Sequence, residues 1–264
     1  MGSEMCIRDS ARWHPPARPV GAGAGERDLD LVEVALHRRP LARGDQRPHL
    51  GRLVGGVEHA QRPDRLLQPG QDCCARSRIL VERSAYDEFL AGLEKSVQAL
   101  RVLDPSDETS EMGPLVSSGQ RASVQGYLDE VEVAFAGSKP DGAGWWIAPS
   151  VVTVDDPATR IWREEVFGPV VAVMPFDDEA DAVAKANDSE YGLSGSIYTN
   201  DLGRGLRVAR AVEAGNLSVN SHSSVRYWTP FGGYKQSGLG RELGPDAPMA
   251  FTEEKNVFIA HGEA

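Results

Sequence analysis

Three clusters in this 264-residue sequence hold the side chains with the most chemistry in them. The first is Gly70-Gln71-Asp72-Cys73-Cys74-Ala75, followed by Ser77-Arg78. A cysteine just after a glycine-containing turn can sit at the end of an element, where its thiolate is reachable and backbone N–H groups lower its pKa. A buried structural cysteine satisfies the same local pattern. The second cluster is Glu164-Glu165-Val166-Phe167-Gly168-Pro169. Alone, two carboxylates before an aromatic, a glycine and a proline read as no more than a solvated helix end and a turn. The third runs Pro230-Phe231-Gly232-Gly233-Tyr234-Lys235-Gln236-Ser237-Gly238 and closes with Gly240-Arg241-Glu242. It has the residue types of a phosphate loop, but the Gly233 to Lys235 spacing does not fit that fingerprint.

The elements that must position these clusters are readable from periodicity. Arg78 to Val81 is a short buried strand. Ser84 is the expected N-cap of a helix carrying Phe89, Leu90, Leu93, Val97 and Leu100 at helical spacing, with Asp87 in its first turn. A second helix is expected from Ser118 to Val131, with Val124, Tyr127 and Leu128 inward. Gly, Pro and Asp punctuate Ala136 to Gly144. Trp145 to Val154 and Val170 to Phe176 read as strands, Asp178 to Asn187 as a helix, and Leu193 to Tyr198 as a strand. Leu202 to Ala214 reads as a helix with Gly215 in the left-handed C′ position, and Asn216 to Asn220 as the strand that follows. Strands alternating with helices imply an α/β fold with an open, largely parallel sheet and flanking helices.

Composition divides the chain in two. Residues 1–69 contain no Lys, Asn, Phe or Tyr, yet hold 11 of the 28 basic residues and 9 of the 39 acidic ones. Their balance is about +2; from Gly70 onward it is (28 − 11) − (39 − 9) = −13. The missing types have A/T-rich codons, as in a G/C-rich gene read out of frame. Met1 to Ser10 resembles the translation of a transposon-type sequencing adapter. Residues 1–69 are therefore expected to be an adapter-derived and out-of-frame segment, non-native or disordered. The alternative is a genuine Arg/Pro-rich extension. Within it, Leu29, Leu31, Val32, Val34 and Leu36 suit a short helix or strand.

The net charge of −11 argues against a nucleic-acid partner. No apolar run approaches the ~20 residues of a membrane span, and residues 1 to 30 show no signal-peptide core. The 3 cysteines, Cys6, Cys73 and Cys74, make no disulfide framework, so a reducing, cytoplasmic location is expected.

In their order and spacing, the three clusters resemble the aldehyde dehydrogenase superfamily from Gly70 to Ala260. Met112-Gly113-Pro114-Leu115, Tyr191-Gly192-Leu193-Ser194 and Val219-Asn220 match as well. The resemblance implies an NAD(P)-dependent enzyme that oxidises an aldehyde to a carboxylic acid through a cysteine thiohemiacetal and thioester. It selects Cys73, not Cys74, as the nucleophile, since the cysteine of Gly-Gln-x-Cys takes that role. It assigns Glu165 and Phe167 to the nicotinamide ribose and ring of NAD or NADP, and it implies no metal. Glu164 is left as an exposed neighbour, and Cys74 as a residue packing inward or lining the pocket. Ser221-His222-Ser223-Ser224 is expected near the substrate mouth, with a solvated loop the competing reading. Lys235 and Arg241 are expected to make ionic or carbonyl contacts that hold the glycine block together.

Residues 70–248 are then the catalytic domain, and 249–264 an oligomerisation strand and tail that joins a second copy. Nothing in residues 1–69 matches the Glu-Leu-Gly-Gly segment of the general base, the Asn of the second oxyanion donor, or a dinucleotide-binding strand–loop–helix unit. The chain is therefore expected to be a truncated, inactive member. The alternatives are a CoA-acylating relative and a non-catalytic remnant acting through oligomer contacts. Which aldehyde it takes is not written in these residues.

Overall fold

The computed structural model describes residues 31–35, 71–73, 75–221, 225–260 and 262, and of 31–35 the backbone alone. In chain order the first elements are β1 (Leu31–Ala35), β2 (Arg78–Glu82), α1 (Tyr86–Ala99), α2 (Ser118–Leu128), β3 (Phe135–Ala136) and β4 (Ser150–Thr153). Then come α3 (Arg160–Arg163), β5 (Val170–Phe176), α4 (Glu179–Asn187), β6 (Tyr191–Gly192) and β7 (Ser194–Tyr198). The last are α5 (Leu202–Ala211), β8 (Asn216–Val219) and β9 (Tyr234–Lys235).

Seven strands form one sheet in the order β3-β4-β5-β2-β1-β7-β8. Every pairing in it is parallel except the β3–β4 edge. The fold class is thus the α/β, largely parallel architecture that strand–helix alternation implies. Strands buried on both faces read as continuous apolar runs rather than as alternating ones. Successive residues of β2 supply opposite sides: Leu80 joins Met174, Trp162, Val124 and Val208 on one face. Ile79 and Val81 join Val173, Val151 and the α1 side chains Phe89, Leu93 and Val97 on the other. Each of these three α1 side chains contributes about 1.5–3 kcal/mol by leaving water.

Residues 1–69 add a strand to this frame. β1 pairs in parallel with β2 on one side and β7 on the other, Glu33 standing opposite Ile79 and Ser196. Of the two forms open to that apolar pentad, the strand is the one taken. The rest of residues 1–69 lies outside the described residues.

Three boundaries differ from expectation. Ser84 does not cap α1: it lies in a 3-10 turn, donates to Glu82 Oε1 at 3.2 Å, and Ala85 is the cap residue. Asp87 and Glu88 still place negative charge at the amino end. The stretch expected as a strand from Trp145 shortens to Ser150–Thr153. Its first carbonyls are already taken, Trp145 O by Leu115 N–H and Trp146 O by Arg121 Nε, and Pro149 has no N–H for a ladder. Helix α5 ends at Ala211 rather than Ala214, because Asn187 from α4 caps it. Its Nδ2 donates to Ala211 O, and its Oδ1 accepts from Glu213 N–H, both at 2.8 Å. Gly215 is therefore not a C′ residue, and its φ is not left-handed.

Thr252 to Ala260 carries no strand ladder among the described residues. It is exposed throughout, with Val257, Phe258 and Ile259 facing solvent. No described helix is long and apolar enough to cross a membrane.

Candidate active site

Cys73 lies in a turn closed by Ala75 N–H donating to Asp72 O at 2.8 Å, five residues before β2 begins. The thiol is half-buried. The preceding Gln71 is buried, and its Oε1 accepts the N–H of Val116 at 3.0 Å. The nucleophile turn is thereby tied to the entry of α2, where Ser117 caps the helix by accepting Gln120 N–H at 3.1 Å.

The Glu165–Phe167 loop meets the same segment. Gln120 Nε2 donates to Phe167 O at 2.9 Å and to Val166 O at 3.4 Å. Ser117 and Gln120 have the spacing of a capping box, yet the Gln120 side chain bonds the neighbouring loop instead of the cap. Phe167 has φ 52°, a left-handed backbone that a bulky side chain adopts only under constraint. Gly168 follows at a point of close packing, where an added Cβ would lie 2.5 Å from Val124 Cγ2 of α2. Val166 is buried, while Glu165 and Phe167 are half-buried. The Cys73 turn and this loop precede β2 and β5, neighbouring parallel strands, and both rest on Val116 to Gln120.

Glu164 is partly exposed, as expected, but it is not without partners. Its Oε2 accepts the Tyr127 hydroxyl at 2.8 Å and pairs with Arg160 at 3.1 Å, while the Arg160 guanidinium lies over the Tyr127 ring at 4.2 Å. Burial first, and this carboxylate second, push the Tyr127 pKa up to about 12. Carboxylate and phenol together lock α3 to α2 and leave Glu165 as the carboxylate beside Phe167.

The glycine block is a brace. Phe231 and Glu242 exchange backbone hydrogen bonds at 2.7 and 2.8 Å. Lys235 Nζ donates to Asn187 O at 2.8 Å and Ser189 O at 3.1 Å, and pairs with Glu213 at 2.7 Å. Arg241 donates to the carbonyls of Gly233 and Gly240. Buried Asn216 ties the block to the sheet, its Nδ2 donating to Leu193 O and Gly232 O at 3.0 and 2.8 Å. Asn220, also with a left-handed φ of 54°, clamps β8 to Thr199 through both side-chain atoms. Cys74 and His222 to Ser224 lie outside the described residues.

Two neighbours of the site escaped the sequence reading. Gln120 is marked only by its distance from Ser117, and Arg76 by nothing but its charge. Arg76 donates from Nη2 and Nε to Ser196 Oγ on β7, at 2.6 and 3.1 Å.

Residues 63–257 match the sequence model of the Aldehyde dehydrogenase family. An aldehyde dehydrogenase of Emericella nidulans is 38% identical over 200 residues, covering 74% of this chain and 40% of that protein. Betaine aldehyde dehydrogenase 1 of Rhizobium meliloti is 39% identical over 250 residues, 91% of this chain and 50% of that one. Among solved structures, Mycobacterium tuberculosis aldehyde dehydrogenase complexed with NAD+ superposes with a TM-score of 0.77 at 34% identity, covering 90% of this chain and 48% of that one. Staphylococcus aureus betaine aldehyde dehydrogenase in complex with NAD+ gives 0.73 at 33% identity, covering 83% and 43%. The chain thus spans about half, or somewhat less, of the length of the relatives it matches. On the family match and the shared fold, it belongs to the aldehyde dehydrogenase family.

Proposed function

We propose that the chain carries the nucleophile and nicotinamide-side portion of an NAD(P)-dependent aldehyde dehydrogenase site. The supporting observation is that the Cys73 turn and the Glu165–Phe167 loop are both bonded to Val116–Gln120. In this reading the Cys73 thiolate attacks the aldehyde carbon. The new S–C bond gives a thiohemiacetal whose oxygen is met by the Cys73 backbone N–H. NAD or NADP, when bound, would supply the two-electron acceptor that such an oxidation needs. The acyl group would stay on the Cys73 sulfur until water releases the acid and the thiol.

The donor set suits such a cofactor: the Glu165 carboxylate would accept hydrogen bonds from ribose hydroxyls, and Phe167 would offer an aromatic face to the ring. No Glu-Leu-Gly-Gly segment occurs in the 264 residues, so cofactor-linked turnover by this chain alone is not expected. A small polar aldehyde suits the Ser/His loop at Ser221. Betaine aldehyde, named for several relatives, is the first to assay.

Acyl transfer tests the nucleophile without cofactor. Purified chain mixed with p-nitrophenyl acetate is expected to acquire one acetyl group on the Cys73 peptide, and Cys73→Ala none. Acetylation of Cys6 or Cys74 instead would sink the assignment. NADH formation with betaine aldehyde, lost in Cys73→Ala, would show that the residues present suffice for turnover. A CoA-acylating variant predicts faster deacylation by added CoA than by water.

The exposed Val257, Phe258 and Ile259 favour a second role for residues 249–264, pairing with another copy of the chain. Light scattering should then give a larger particle for the full chain than for one ending at Phe251. Identical masses would reject the pairing.

A further inference from the structure

Arg76 lies just past the Asp72–Ala75 turn, and its guanidinium reaches Ser196, which is fully buried in the middle of β7. β1 runs between β2 and β7, so this contact spans two strand spacings. Ser196 Oγ is 3.2 Å from Ser218 Oγ, its register partner on β8. Ser218 Oγ bonds the carbonyl oxygen of Ser221, two residues past the end of β8.

The proton order along this row follows from counting hydrogens. A serine hydroxyl has one hydrogen to donate. A carbonyl can only accept, so Ser218 spends its hydrogen on Ser221 O. Between the two hydroxyls, Ser196 must therefore be the donor. Its lone pairs accept from Arg76, whose guanidinium never gives up its protons at ordinary pH. The row Arg76→Ser196→Ser218→Ser221 O thus has one sense, anchored by a fixed cation at the nucleophile end and by a loop carbonyl at the other. Each bond polarises the next, which makes the row stiffer than its members taken singly.

We propose that Arg76 is a positioning residue that sets the Cys73 turn and the chain end of β8 at Ser221 in one arrangement, through Ser196 and Ser218. The functional meaning of the coupling rests on Cys73 being the nucleophile, but the coupling itself does not.

Two readouts on the full chain separate these points. One is alkylation of Cys73 by iodoacetamide as a function of pH. The other is trypsin cleavage after exposed Arg226, measured by mass spectrometry against total unfolding by circular dichroism. Arg76→Ala is expected to speed cleavage at Arg226 about fivefold, the effect of losing roughly one hydrogen bond on a local opening. Ser218→Ala should do the same, and the double variant should do no more than either single one. Arg76→Ala should also change the rate of Cys73 alkylation about threefold, because the turn that Arg76 follows is no longer tied to β7. Arg76→Lys, which keeps a charge and a donor, should recover most of both effects. If Arg76→Ala folds poorly, Ser196→Ala keeps the volume and must reproduce the faster cleavage. Additive effects of Arg76→Ala and Ser218→Ala, or unchanged cleavage in Arg76→Ala, would overturn the proposal. A wild-type Cys73 that alkylates like an ordinary thiol would overturn the nucleophile reading instead, with the coupling still decided by Arg226.

Discussion

Replacing Gly215 separates two explanations of why a glycine stands between α5 and β8. The sequence pattern suggests a left-handed helix terminus, where asparagine is the best substitute for glycine. The structure gives another cause. A Cβ on Gly215 would fall inside the Gly232 carbonyl group, 2.9 Å from its carbon, and 3.3 Å from Arg241 Nη2. Both obstacles are held: Gly232 O accepts from buried Asn216 at 2.8 Å, and Arg241 is bonded to Gly233 O. Relieving the overlap means pushing the glycine block off the sheet. Overpacking costs about 1–3 kcal/mol, and leaving the Asn216 amide short of an acceptor adds about 1–3 kcal/mol. Gly215→Ala is thus expected to destabilise by about 2–6 kcal/mol, a fall in melting temperature on the order of 10 °C for a chain of this size. Gly215→Asn should be at least as harmful, because its Cβ meets the same carbonyl. Thermal melts of the three proteins followed by circular dichroism decide between the causes. If Gly215→Asn melts within about 2 °C of wild type while Gly215→Ala does not, the close-approach argument is wrong.

Three further outcomes follow from the packing around the site. Because the Tyr127 pKa is raised from 10.0 to about 12, the folded state holds this proton more tightly than the unfolded chain does. That stability is fully present below pH 10 and is lost as pH climbs through 12; allowing for solvent screening it amounts to about 1 kcal/mol. Tyr127→Phe should flatten urea stability between those pH values, and an unchanged slope would show that Tyr127 does not hold the raised pKa. Gly168→Ala should displace the Phe167 loop from α2 and slow acetylation of Cys73, with Val124→Ala in the same chain restoring part of the rate by removing the methyl it strikes. Absence of any rescue would mean that the two residues are not in conflict. Lys235→Met, which keeps the aliphatic stem but drops three polar contacts, should cost about 1–3 kcal/mol in urea unfolding. A loss confined to high-pH conditions would contradict it.

Much of the frame was legible because local and tertiary demands coincide. β5 has no sequence alternative to being a buried strand, and the spacing of Phe89, Leu93 and Val97 admits only an amphipathic helix. Predictions failed where a residue outside the element took over a local role. Asn187 ends α5 from another helix. Leu115 and Arg121 take the carbonyls of Trp145 and Trp146. Ser84 prefers Glu82 to the helix it precedes. In each case the competing partner lies in a different element or turn, where periodicity carries no information.

The candidate site divides along the same line. Cys73, Glu165 and Phe167 are recognisable by type and order, because the chemistry assigned to them restricts the side chain itself. The residues that hold them do so through side-chain hydrogen bonds that many residue types can make. Gln71 needs only an acceptor for Val116 N–H, and Gln120 only a donor for Phe167 O. A left-handed Phe167 has an energetic consequence here. Strain of about 1–3 kcal/mol persists only if the surroundings over-determine it, and Gln120, Gly168 and Val124 are the groups that hold it. Removing any one of them should therefore release the loop before it unfolds the sheet, and the effect on Cys73 acylation should exceed the effect on global stability. Equal losses in both would mean that the strain is held by the fold as a whole, and that the loop has no separate equilibrium to release.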